Sequence, residues 1–255
     1  MSGADGRSCE HRHVPALIDL TAAAALVPDG ASLGIGRPPA LALIRELIRQ
    51  GRRDLHLVAA PISALGIELL VAAGCASVVE SSGVDLGEWG QAPAFADAVE
   101  AGRLKVRDWT CPALLMALQA GASGVSFTPV PGLIGSDLMR VREDFREVDD
   151  PFRAGRRVAL VPALRPDFAV VHATRADPKG NAVISTLYDD RLLIQASGTV
   201  IMSVERVEAG ATDRLSPDEQ VVPAAYLAAL TLAPAVDVAA ETAAYREERA
   251  RALQR

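Results

Sequence analysis

Between Ala31 and Ala120 short apolar runs alternate with segments of helical period, and this alternation constrains the fold more than any other feature of the chain. Ala31 to Gly36, Asp54 to Ala59, Ala76 to Val79 and Lys105 to Asp108 read as strands. Leu41 to Ile48, Ile67 to Ala73, Pro93 to Ala101 and Cys111 to Ala120 read as helices. The first carries an apolar stripe of Leu41, Ile44, Leu47 and Ile48, with Pro38 and Pro39 at its entry, where a missing N–H costs little. Strands repeatedly separated by helices need crossover connections. The pattern therefore predicts an α/β protein of three layers, α/β/α, around a mostly parallel, doubly wound sheet. Ligands of such sheets sit beyond the carboxyl ends of the strands, which singles out loops 34–39, 60–66, 80–92 and 108–111.

A further strand is expected in the run from Asp167 to His172, because Phe168 to Val171 is continuously apolar and bears β-branched residues, as strands buried on both faces do. Thr174 to Asn181 follows as a turn: Pro178 presets the first corner and Gly180 supplies a left-handed position. Thr199 to Val207 reads as the last strand. Val14 to Val27 is expected to be helical up to the breaker Pro28-Asp29-Gly30, and Ala239 to Gln254 to form a helix exposed along one face. Ser123 to Pro151, with Pro129, Pro131, Gly132 and Gly135, reads as a long irregular stretch, ordered as a wall. Gly210 to Val222 reads as a polar turn region. Residues 1–13 are polar and expected to be a mobile tail, leaving one domain over residues 14–255.

Composition removes several functional classes. Half of the residues are hydrophobic but only 4% are aromatic, so the core is built from Ala, Val and Leu. A net charge of −6 disfavours broad contact with nucleic acid, which draws on clustered Lys and Arg. Cys9, Cys75 and Cys111 are odd in number and widely spaced, so they read as reduced thiols of a cytoplasmic protein. Cys9, His11 and His13 alternate in the tail but make a poor metal site, and no metal is expected. No apolar run reaches membrane-spanning length.

The residues that could carry chemistry lie at the strand ends. Gly34-Ile35-Gly36-Arg37 joins a strand to a helix, where free N–H groups and the helix dipole favour an anion, and Arg37 adds a charge. The same pattern also describes a turn that simply needs small residues. Ser81 and Ser82 end a strand and could bond a substrate carboxylate or only their own backbone. Cys111 opens a helix, where a thiolate would be stabilised. His172 ends a buried strand and reads mainly as a hydrogen-bonded core histidine.

Val161-Pro162 with Pro166, the strand ending in His172, Ala176-Asp177-Pro178-Lys179-Gly180-Asn181 and the strand ending in Glu205-Arg206-Val207 together resemble the α-subunits of family I coenzyme A transferases. The α-subunits of glutaconate and 3-oxoacid CoA-transferases are the relatives in view, and the resemblance runs from Asp29 to Val207. It implies a heteromeric enzyme that moves CoA between an acyl-CoA and a carboxylic acid, with a coenzyme A thioester as substrate and no other cofactor. The nucleophilic glutamate belongs to a partner β-subunit, directly after the strand equivalent to Asp54 to Ala59, where this chain has Ala59-Ala60-Pro61. Glu80-Ser81-Ser82-Gly83 looks like the β-subunit motif but follows the next strand along. The resemblance also places an acyl-pocket and partner-facing loop in the irregular stretch. The substrate or CoA site is thus assigned to Gly34, Gly36, Arg37, Ser81, Ser82, Phe127, Gly132 and Gly135, with no catalytic residue on this chain. The glycine turn is shorter than the family's. Two alternatives follow: a related hydrolase α-subunit that opens a ring in a CoA thioester, and an acyl-CoA-binding relative without activity. Cys111 stands where the hydrolases place an essential acid, which disfavours that branch.

Overall fold

A computed structural model describes residues 14–60 and 62–253. Its centre is an eight-stranded sheet in the spatial order Ala16–Leu17, Ala229–Leu232, Thr199–Val204, Phe168–Ala173, Ser32–Ile35, Leu55–Ala59, Ala76–Ser81, Lys105–Asp108. Every neighbouring pair in it is parallel. Strands pleat with period two, so one face carries Leu33, Ile35, Leu57, Val170 and Ile201 beneath the helices Leu20–Ala25, Leu41–Arg49, Leu65–Ala72 and Pro93–Glu100. The other face carries Ala169, Val171, Val200 and Met202 beneath Cys111–Ala122 and Asp190–Ala196. This is the expected three-layer, doubly wound architecture.

Small residues set the layer spacing. A Cβ on Gly34 would lie 2.6 Å from Leu193 Cδ1, so the helix Asp190–Ala196 sits against that strand only because nothing projects there. The turn after Phe168–Ala173 also forms as expected. Gly180 takes φ +87°, and the Asp177 carboxylate accepts the N–H groups of Lys179 (2.8 Å) and Asn181 (2.9 Å).

Four expectations need correction. Leu17 is not helical: after Pro15, Ala16–Leu17 pairs with Ala229–Leu230, and the helix begins at Leu20 behind the Asp19 cap. Thr199–Val204 is not the last strand, because Ala229–Leu232 follows; its Ala-Leu-Thr-Leu run sits in an alanine- and leucine-rich stretch with no clear strand period and is fixed by pairing with two neighbours. The stretch 123–151 is not irregular. Phe127–Val130 and Arg146–Asp149 flank Arg157–Pro162 in an antiparallel sheet, with a helical turn at Leu138–Val141, and Pro129 and the surface charges mask the strand pattern. Gly210 to Val222 likewise contains a strand, Glu219–Val222. The tail, with Cys9, His11 and His13, lies outside the described residues.

Candidate active site at the topological switch

From Ser32–Ile35 the sheet grows in one direction through Leu55–Ala59, Ala76–Ser81 and Lys105–Asp108. In the other it grows through Phe168–Ala173, Thr199–Val204 and Ala229–Leu232. The order reverses between Ser32–Ile35 and Phe168–Ala173, and a crevice beyond their carboxyl ends is where an open α/β sheet holds a ligand. Two cavities meet there. One of about 100 Å³ is bordered by Pro38, Pro39, His172, Thr174 and Glu205. One of about 270 Å³ shares Pro38, Pro39 and Val238 with it and continues past Gly36 and Arg37 to Trp89 and Tyr188.

The glycine loop borders this crevice, but its amides are not free. Gly36 N–H bonds the Val170 carbonyl (3.0 Å), and Arg37 N–H donates to Asp190 Oδ1 (2.8 Å). A Cβ on Gly36 would lie 2.8 Å from Val171 Cγ1 and 3.1 Å from Asp190 Oδ2. The expected anion cradle of free N–H groups is therefore corrected: Gly34 and Gly36 are small so that the helix Asp190–Ala196 and its first carboxylate can approach. The loop's charge comes from the exposed Arg37 guanidinium, which stands over the Tyr188 ring at 5.1 Å.

Asp190 is buried, and burial pushes its carboxyl up to about 7, only partly offset by the Arg37 amide. Its sole trace in the sequence is the Asp189-Asp190 pair, which a propensity reading takes for a turn. His172 is hydrogen-bonded as expected. Its Nδ1 lies 2.9 Å from Ser203 Oγ and its Nε2 3.4 Å from Glu205 Oε1. Burial holds its pKa below the usual histidine value although Glu205 pulls upward. It also reaches the crevice, which its place on a strand of buried residues did not reveal.

The other expected residues do not gather there. Glu80 lies inside the strand Ala76–Ser81, which runs two residues further than its apolar run suggests, and its carboxylate is enclosed on the far side of Leu55–Ala59. Trp109 indole N–H donates to Oε2 (2.6 Å), while His56 Nε2 and Arg107 Nε lie 2.9 and 3.1 Å from Oε1. Burial would raise its pKa, but His56, Arg107 and Trp109 together keep it below the ordinary glutamate value. Arg142 lies 4.3 Å from both the Trp109 and Phe145 rings and donates to the Asp108 carbonyl (2.7 Å) and to Asp144 (2.9 Å). Ser81 Oγ folds back on Gly83, accepting its N–H (2.9 Å) and donating to its carbonyl (2.6 Å). Ser82 Oγ is 3.0 Å from Cys111 Sγ. Phe127 is exposed on the antiparallel sheet, and Gly132 and Gly135 occupy left-handed turn positions beyond it.

Comparison with known proteins decides the family. Residues 18–233 match the family model described as Coenzyme A transferase. The chain belongs to the coenzyme A transferase family. It is 38% identical over 148 residues to the α-subunit of the 3-oxoadipate CoA-transferase of Pseudomonas knackmussii, covering 54% of this chain and 50% of that protein. It is 33% identical over 202 residues to a cholesterol ring-cleaving hydrolase IpdA subunit of Rhodococcus jostii, covering 74% and 68%. Among solved structures, a variant of the decarboxylase AibA/AibB superposes with a TM-score of 0.74 at 33% identity, over 87% of this chain and 84% of that one. The chain spans about half the length of the transferase relative. Three activities on one scaffold mean that function must be read from the site rather than from the fold.

Proposed function

We propose that this chain is the α-subunit of a heteromeric CoA transferase that moves CoA from an acyl-CoA to a carboxylic acid, with the nucleophilic glutamate on a partner β-subunit of the same fold. The observation that carries the reading is the absence, among the described residues, of an available glutamate directly after Leu55–Ala59 or Ala76–Ser81. Ala59 and Ala60 stand at the nucleophile's position, and Glu80 is enclosed by Trp109, His56 and Arg107. A carboxylate in that cage cannot meet a thioester.

In this reading the partner's carboxylate attacks the acyl-CoA carbonyl and expels CoA thiolate, leaving a mixed anhydride. The thiolate then attacks the glutamyl carbonyl and expels the donor acid, leaving a glutamyl-CoA thioester, and the acceptor acid reverses both steps. No step consumes water. The part of this chain is to shield the intermediates and place a cation, Arg37, beside the crevice. The coenzyme A thioester enters as substrate, and the protein works in the cytoplasm without a further cofactor. Among the described residues there is no metal-binding cluster and no helix long and apolar enough to cross a membrane.

The test is to purify the chain with the partner encoded beside it, incubate with acyl-CoA, and reduce with borohydride. The label is expected on a partner glutamate in a Glu-Ser-Gly or Glu-Asn-Gly setting. A label on Glu80, or full exchange activity by this chain alone, would overturn the assignment.

A further inference from the structure

The family match ends at residue 233, yet the helix Val238–Leu253 beyond it reaches the crevice. Val238, Ala239 and Thr242, from its first turns, line the larger cavity together with Trp89 and Tyr188. The helix is held by polar contacts to three different helices. Tyr245 donates to the buried Glu68 carboxylate (2.6 Å), Arg45 pairs with Glu241 (2.5 Å), and Arg249 pairs with Asp97. Glu68 in turn accepts the N–H groups of Ala94 (2.7 Å) and Phe95 (2.9 Å), which ties this anchor to the start of Pro93–Glu100. Asp237 caps the helix, accepting from Ala239 (3.0 Å) and Ala240 (3.1 Å).

Two polar side chains at the cavity are engaged within the protein, while the exposed Arg37 guanidinium stays open to a ligand. Thr242 Oγ1 donates to the Val238 carbonyl (2.7 Å), Asp85 accepts the Gly87 N–H (2.8 Å), and Arg37 lies over Tyr188. Beyond Arg37, what remains for a ligand is mostly apolar surface in about 270 Å³, just under the roughly 300 Å³ at which ordinary small-molecule pockets begin. Such a space fits a compact chain.

We propose that the C-terminal helix is the specificity element of this protein: Val238, Ala239 and Thr242 set the length of a compact, apolar acyl group accepted in the crevice, and the Tyr245–Glu68 bond holds that wall in place. The inference rests on the proposed function in taking the ligand to be an acyl-CoA. Ala239 is exposed at the helix start, so Ala239→Leu intrudes on the cavity without touching the core, and leucine is a good helix former.

The experiment uses the copurified complex. Tryptophan fluorescence, with Trp89→Phe as the control that isolates the Trp89 signal, reports binding of CoA and of acetyl-, butyryl-, hexanoyl- and octanoyl-CoA, beside transfer assays with the same donors. Ala239→Leu is expected to lower the hexanoyl-to-acetyl affinity ratio at least tenfold while leaving CoA binding within twofold. Tyr245→Phe is expected to raise KM for the longer donors severalfold with kcat within twofold and the circular dichroism unchanged. Equal effects on every chain length, no effect of either variant, or no acyl-dependent binding in the series would overturn the proposal. Chain-length selectivity that shifts with Ala239→Leu in a complex without transfer would uphold the specificity element and reject the transferase instead.

Discussion

Two polar clusters lie at the carboxyl ends of strands in this sheet, and they have opposite characters. Around Glu80 the charges are matched: a carboxylate, two arginines, a second carboxylate and an indole close on one another, and Arg142 is capped by aromatic rings. Around the switch point they are not. Asp190 is buried with one amide against it, burial lowers the pKa of His172 although Glu205 pulls it upward, and cavities adjoin both Gly36 and His172. A matched cluster keeps its groups ionised and engaged with one another, even though a cavity of about 690 Å³ adjoins Arg107, Arg142 and Asp144, so it stabilises the edge half of the sheet. An under-compensated cluster beside open space keeps its groups able to exchange partners, which is what a site requires. Similarity to a catalytic motif at Glu80-Ser81-Ser82-Gly83 therefore marked the structural cluster.

Breaking the matched cluster is expected to have the largest effect. Arg142→Ala would remove a buried guanidinium from against two aromatic rings, strip the Asp108 carbonyl of its donor, and leave Arg107 as the remaining arginine for Glu80 and the half-buried Asp144, costing about 3–5 kcal/mol. Urea denaturation would show it as a lower midpoint with an unchanged slope, and a loss under about 1 kcal/mol would end the contrast between the clusters.

Asp190→Asn should act in the opposite sense. The folded pKa of Asp190, about 7, lies above the value near 4 of an unfolded aspartate. The native state thus keeps its proton after the unfolded chain has released it, and the residue works increasingly against folding as pH rises from about 4 to about 7. An asparagine still accepts the Arg37 N–H but carries no such penalty. The variant should be more stable than the parent by about 2–4 kcal/mol at pH 8, with the difference vanishing near pH 4. Thermal melts across that range would show it, and a pH-independent difference would be the contrary outcome.

The smallest effect on stability sharpens the comparison most. Arg37 is exposed, so Arg37→Ala should leave the melting temperature almost unchanged. If it meets an anionic group of the substrate, kcat/KM should fall about 10–100-fold, the worth of one charged hydrogen bond. Unaltered kinetics in the complex would remove the guanidinium from the site.

Much of the scaffold was readable one residue at a time. Lys105–Asp108 and the start of Cys111–Ala122 fall where strand and helix periods place them, and Gly180 is left-handed because the Pro178 turn demands it. Ala229–Leu232 was not readable, since alanine and leucine serve helix and strand alike until neighbours supply hydrogen bonds. The candidate site divides in the same way. Gly36 and Arg37 were legible as a strand-to-helix loop with a charge, whereas Asp190, Tyr188 and Val238 lie more than a hundred residues away along the chain. No local pattern could link them to that loop.

Period and turn chemistry, which act between near neighbours, determined from sequence alone that this chain would wind helices on both faces of a parallel sheet and leave functional loops at one edge. The order in which strands lie side by side was decided only in three dimensions, because parallel pairing depends on distant segments meeting. That order put the switch between Ser32–Ile35 and Phe168–Ala173, matched the charges of Glu80, and left those of Asp190 unmatched. Whether a buried carboxylate is structural or available is a question of what surrounds it, and surroundings are a property of the folded molecule.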